Sequence, residues 1–199
     1  DRQMLGADQE QWLDGELQVS KQRSATWQIL GQQVLMGKLG LPVLTDEQLK
    51  LEQTNAEYRP ILQMMQTLAR DNLPFNLDAW DGYWACRNRV FTSLIEHGVN
   101  PLVLAGDTHN AWAFNLATDQ GQAVGVEVGT PGVNSPGLEY YLATEPQVLA
   151  KAMKNASSEL HAVDTAQRGW SELVLTPEVA TNQWHFVSTV LDREFTVTS

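Results

Sequence analysis

The segment PLVLAGDTHN (101–110) constrains this chain most. A short apolar run ending in Gly-Asp reads as a buried strand that opens into a turn. In open α/β sheets, ligands collect at the carboxyl ends of such strands. Gly106 lets the backbone turn there without steric cost. If the backbone stays extended instead, Asp107 and His109 stand at i and i+2 and face one site, with Thr108 turned away. A carboxylate beside an imidazole suits a mid-hardness metal, or a mixed cluster of hard and borderline ions. On spacing alone a plainer account is favoured: a Gly-Asp turn followed by a partly buried histidine bonded to backbone. Two residues are a weak signal, and a complete site takes roughly three to six ligands.

The segments around this strand are of mixed type. The stretch after Ala7 reads as a short helix with Trp12, Leu13 and Leu17 on one face. Residues 26–37 read as a buried strand running into a loop. Thr45 and Gln48 fit a capping box. Pro60 suits the first turn of a helix with Ile61, Leu62, Met65 and Leu68 toward a core, and the Met64–Met65 pair reads as packing. Asp78 and Asp81 in LDAWDG are candidate caps for a helix lined by Val90, Phe91, Leu94 and Ile95, which ends at His97–Gly98. His97 there reads as a partner of the helix dipole. Residues 111–118 and 123–130 read as strands joined by a hairpin turn, followed by the Gly/Pro-rich loop 130–137. Residues 145–157 read as a helix, and 169–176 with 183–191 as a closing antiparallel pair. His185 is expected at the exposed surface, facing away from Trp184 and Phe186. This order predicts one α/β domain with a mixed sheet, antiparallel pairs and flanking helices.

Composition sets the outer limits. With 199 residues and 43% hydrophobic content the chain can build a sizeable core. Its net charge of −11 argues against a nucleic-acid or membrane-surface footprint, though an anionic substrate could still be met by a bound cation. Cys86 is the one cysteine, which excludes an internal disulfide and a multi-cysteine zinc site; a small core residue is the simpler role for it. No stretch is long enough for a membrane span. The chain opens at Asp1 without methionine, which reads as a piece of a longer protein.

Several blocks occur together: MLGADQEQWL (4–13), WQILGQQV (27–34), NLDAWDGYWACRNR (76–89), LVLAGDTHNAW (102–112), VGVEVGTPGVNSPG (124–137) and HAVDTAQRGWSELVLT (161–176). In type and order they resemble the blocks of PhoD-like alkaline phosphatase/phosphodiesterases, and WDGY and GDTH followed by Trp112 are the most specific. The resemblance implies the C-terminal half of a metallophosphoesterase-type α/β/β/α sandwich. It implies hydrolysis of phosphate-ester substrates by a cluster of iron (Fe3+) and calcium (Ca2+), in an exported protein. Asp107 and His109 match the family's last metal-binding motif. The remaining ligands would lie in a missing N-terminal half, and dimerisation through an exposed sheet is expected without it. Cys86 does not match the family's metal-binding cysteine. Gln33 stands where related phosphoesterases often carry a histidine, so Gln33, Asn110 and His161 are candidates for pocket or supporting positions, His161 reaching in from a loop. Asp78, Asp81 and Tyr83 are structural candidates near the site. The alternatives are a non-catalytic structural or binding module, or an inactive fragment.

Overall fold

A computed structural model describes residues 2–71 and 73–199. Among these residues, eight strands and six α-helices are formed: α1 (Ala7–Gln22), β1 (Gln28–Gly31), α2 (Asp46–Leu49), α3 (Arg59–Ala69), α4 (Trp84–Glu96), β2 (Pro101–Ala105), β3 (Ala111–Ala117), β4 (Ala123–Gly129), α5 (Leu138–Tyr141), α6 (Pro146–Asn155), β5 (Leu160–Asp164), β6 (Arg168–Leu175), β7 (Ala180–Val187) and β8 (Val197–Thr198).

Five strands make a mixed sheet in the order β1-β2-β4-β3-β5. The β1, β2 and β4 strands are parallel, and β3 and β5 add antiparallel pairs. The parallel strands therefore deliver three chain segments to one end of the sheet. The second sheet is β6-β7-β8, all antiparallel. Its long hairpin is tied to the large sheet at both ends. Near its start Gly169 N–H donates to Gly132 O at 3.0 Å. Just past the end of β6 the Trp27 indole donates to Thr176 O at 2.7 Å.

One face of the large sheet builds the core. Leu30, Val103, Trp112, Phe114 and Leu116 pack with Leu17 of α1, Val90, Phe91 and Leu94 of α4, and Leu149 and Met153 of α6. Local signals place these helices as expected. Thr45 and Gln48 close a reciprocal capping box on α2, and Gly98 takes a positive φ just after α4. The mixed α/β architecture and the antiparallel pairs match the expectation.

Several local expectations do not hold. The first helix runs 16 residues, and Trp12 on it is exposed while Leu17 is buried. On α3 Leu62 and Ala69 are buried and Met65 and Leu68 half-buried, but Ile61 and Met64 are 50% and 54% exposed, so these two do not pack in the core. The segment 26–37 does run from a strand into a loop, but the strand is only Gln28–Gly31 and is partly exposed rather than buried. Neither Asp78 nor Asp81 caps α4, because a 3-10 turn at Trp80–Gly82 intervenes and Tyr83 takes the N-cap position. His97 bonds Asp14 Oδ1 of α1 at 2.8 Å, giving it a side-chain partner in addition to its place at the helix end. His185 is half-buried, stacked on Trp170 with ring centroids 5.1 Å apart. Cys86 is fully buried, as expected.

A buried polar network holds the irregular segment 32–39 against the sheet. Fully buried Glu127 of β4 accepts the N–H groups of Met36 at 2.8 Å and Gly37 at 2.7 Å, and the Gln32 amide at 3.2 Å. Fully buried Arg87 of α4 donates to Met36 O at 2.7 Å and to Glu159 Oε2 at 2.6 Å. Glu159 also accepts Lys38 N–H at 3.1 Å, and Asp81 accepts Leu39 N–H at 2.9 Å. At Gly37 any Cβ would run into the Phe114 ring, so only glycine lets the segment lie this close.

Three carboxylates thus surround one guanidinium. Burial pushes Glu127 up from 4.5 to about 7 and Asp81 up from 3.8 to about 6, against the backbone N–H groups that favour their charged forms. Between the unfolded and folded values the native state holds protons that the unfolded chain has released. Stability is therefore highest on the acid side and falls as pH rises from about 4 to about 7, by roughly 3 kcal/mol for Glu127 alone. Above that window these groups add no further slope. Glu127→Gln cannot titrate and should flatten the decline. Urea midpoints measured from pH 4.5 to pH 8 check this, and an unchanged slope in that variant would count against the assignment.

Candidate functional site

Three loops meet at the carboxyl end of the parallel strands: 32–39 after β1, 106–110 after β2 and 130–137 after β4. Backbone bonds stitch them together. Gly106 N–H and Asp107 N–H both donate to Gln33 O at 3.1 Å, Thr130 N–H to Ala105 O at 2.9 Å, and Gly132 N–H to His109 O at 3.0 Å. Topology thus gathers segments that are far apart in the chain, as strand-end loops on a rigid sheet do.

The backbone does not stay extended after Gly106. His109 N–H donates back to Gly106 O at 3.2 Å, and His109 adopts φ 60°, the left-handed region. Asp107 and His109 therefore do not point to one side by strand alternation; a turn sets their relation. The Asp107 carboxylate is exposed and His109 is half-buried. His109 Nδ1 lies 2.8 Å from Pro136 O. A carbonyl only accepts, so Nδ1 carries the proton, and the neutral ring keeps its lone pair on Nε2. Thr108 turns inward and accepts the Trp112 indole N–H at 2.6 Å, pinning the turn to the core.

The other candidates fall at different distances from this turn. Gln33 acts through its backbone carbonyl, and its side chain is exposed. Asn110 is fully buried and accepts Leu138 N–H at 3.1 Å. Asp81 lines a cavity of about 20 Å³ with Asn76, Asp107 and Thr108, room for about one water. Asp78 is exposed, and its N–H donates to Asn76 Oδ1 at 2.8 Å. The Tyr83 hydroxyl accepts from Arg2 at 3.1 Å. His161 is not on a loop: it is an exposed residue near the start of β5, whose far end, Asp164, is the part paired with Ala111 beside the turn. The sequence reading missed Glu127, Arg87, Glu159 and the Pro136 carbonyl. A charged residue inside an apolar strand, as in AVGVEVG, was the available signal for Glu127.

The donor chemistry of Asp107 and His109 fits a metal, with an exposed carboxylate and a lone pair on Nε2. The number of donors does not complete one. No group of three or more histidine, cysteine, aspartate or glutamate residues able to hold an ion occurs among the described residues.

A mixed sheet that concentrates its polar loops at the carboxyl ends of parallel strands defines an α/β protein with a strand-end site. The chain belongs to the PhoD-like phosphatase family, whose model matches residues 1–184. It is 34% identical over 119 residues to alkaline phosphatase D of Bacillus subtilis (strain 168); that stretch is 59% of this chain and 15% of that protein. Its fold resembles a solved structure of PhoD with a TM-score of 0.68 at 21% identity, covering 100% of this chain and 33% of that one. The chain therefore spans about a third of the solved relative.

Proposed function

We propose that this chain is one part of a metal-dependent phosphoesterase and supplies two of its metal ligands, Asp107 and His109. The observation that carries this reading is the turn at the end of β2. It exposes a carboxylate and leaves an imidazole Nε2 free of backbone bonds among the described residues, within a chain of the PhoD-like family. When bound, a cluster of Fe3+ and Ca2+ would supply positive charge to the phosphate oxygens and to the charge developing in displacement. Asp107 offers anionic oxygen to such a cluster. The Gln33 carbonyl fixes the backbone on which that carboxylate is carried, and the Pro136 carbonyl fixes the imidazole proton on Nδ1. The remaining ligands come from parts of the longer polypeptide, which on this reading is exported.

The same reading assigns the sheet's second face to contact with the rest of that polypeptide. Ile29 and Val126, each 42% exposed, flank Leu102 on the side opposite Leu30 and Val103. Left uncovered, such a face favours self-association. A second reading rests on the incomplete ligand set: the chain by itself folds and is inert.

The test compares the full-length protein with residues 1–199 alone, on a phosphate monoester and a diester. The full-length protein should turn over substrate, lose activity on chelation and contain metal by elemental analysis. The 199-residue chain should show little or no turnover, because proximity and charge stabilisation depend on the assembled site. Full activity of the isolated chain would defeat the shared-site reading, and a metal-free, fully active full-length protein would defeat the metal reading.

A further inference from the structure

We infer that Asn110 is a positioning residue for His109, acting through the loop 130–137; this rests on the reading of His109 as a metal ligand. Four observations converge. His109 holds a left-handed φ of 60°, a conformation costing a non-glycine residue about 1–2 kcal/mol that persists only where surroundings impose it. The loop and the first residue of α5 grip residues 109 and 110 at three points: Gly132 N–H on His109 O at 3.0 Å, Pro136 O on His109 Nδ1 at 2.8 Å, and Leu138 N–H on Asn110 Oδ1 at 3.1 Å. The Asn110 amide lies flat against Gly137, where a Cβ would come within 2.6–2.9 Å of its Nδ2, Oδ1 and Cγ. Asn110 Nδ2 is buried with no hydrogen-bond partner among the described residues.

The last point separates positioning from simple stability. A buried amide donor without a partner is destabilising by about 1–3 kcal/mol, so an apolar side chain of similar size would relieve that term. What asparagine provides is the acceptor for Leu138 N–H, two residues from the carbonyl that sets the His109 tautomer. Pro136 has no N–H of its own to anchor it. Its carbonyl is therefore placed by bonds to either side: Gly132 before it, and after it Leu138 on Asn110 together with Gly137 N–H on Glu139 Oε1 at 3.1 Å. Glu139 is itself ion-paired to Arg168, which makes it the outer anchor and Asn110 the inner one.

The experiment uses the full-length protein with ¹⁵N-labelled histidine, at a pH where the imidazoles are neutral, with the His109 signals assigned by their loss in His109→Gln. The wild type should show the Nδ1–H tautomer at His109. Asn110→Leu keeps the number and branching of the side-chain heavy atoms and removes the acceptor. It should remain folded by circular dichroism, show both tautomers, and bind Zn2+, a probe that takes aspartate oxygen and histidine nitrogen, about tenfold or more weakly. Asn110→Asp retains the acceptor oxygen and should keep the wild-type tautomer and Zn2+ affinity within about threefold. Should Asn110→Leu fail to fold, Gly137→Ala pushes the same amide from the loop side and is read in the same way. A folded Asn110→Leu protein with the wild-type tautomer and Zn2+ affinity would overturn the inference, as would a change in melting temperature alone. A shifted tautomer in a protein that never hydrolyses phosphate esters would leave the positioning role standing and sink the hydrolase reading. An active enzyme whose tautomer ignores Asn110 would do the opposite.

Discussion

An Arg87→Met variant is expected to lose about 3–5 kcal/mol of stability, because removing one partner of a buried ion pair strands the other. Arg87 is fully buried, stands 4.2 Å from the Phe91 ring centroid, and donates to both Met36 O and Glu159. Methionine can fill much of that volume but provides neither donor nor charge. Glu159 then sits beside Glu127 and Asp81 with the central cation gone. Proton binding can relieve part of this, so the loss should be larger at pH 8 than at pH 5, where burial already favours the protonated forms of Glu127 and Asp81. Arg87→Lys restores charge but reaches Met36 O and Glu159 less well than a planar fork, so it should recover only part of the loss. Urea midpoints at the two pH values decide it. Equal losses at both would mean that the carboxylates do not share the guanidinium.

That network also marks where local sequence patterns stop being informative. The β2 strand, the β3–β4 hairpin, the capping box at Thr45 and the glycine after α4 are legible because each is a pattern read within a few residues. Arg87 and Glu159 stand 72 positions apart, and Glu127 stands 91 from the Met36 N–H it accepts; only the sheet brings them together. Helical spacing misplaces Ile61 on α3 because it says which residues share a side, not which side a neighbour covers. At the turn after β2, the sequence singles out Asp107 and His109 but not their geometry. An extended backbone and a turn are both open after a glycine. The turn wins here because His109 N–H bonds Gly106 O, the loop after β4 grips His109, and Leu138 at the start of α5 holds Asn110. His161 shows the converse error: its block is near the turn in space, but the histidine stands three residues before the part of β5 that pairs there.

In the full-length protein, His109→Ala and Asp107→Asn are each expected to reduce turnover more than about a hundredfold, since even the partners that orient metal ligands are worth about 10- to 100-fold. The loss should come through metal binding and not through the fold. Alanine at 109 removes the Nε2 donor. It also gives up a side chain whose Nδ1 bond helps hold the left-handed backbone, a local cost of about 1–2 kcal/mol. His109→Asn controls for that cost, because asparagine tolerates this conformation well. Asparagine at 107 keeps the shape of the side chain and the backbone bond to the Gln33 carbonyl, and removes only the negative charge that offsets a cation. All three proteins should show native circular dichroism and reduced metal content, and high metal concentration should restore part of the activity. A purely structural role for the turn predicts another pattern: unfolding, or a folded protein that is fully metallated and active. Metal stoichiometry, circular dichroism and turnover on the same preparations separate the two. A folded His109→Asn enzyme with normal metal content and normal turnover would remove that residue from the site.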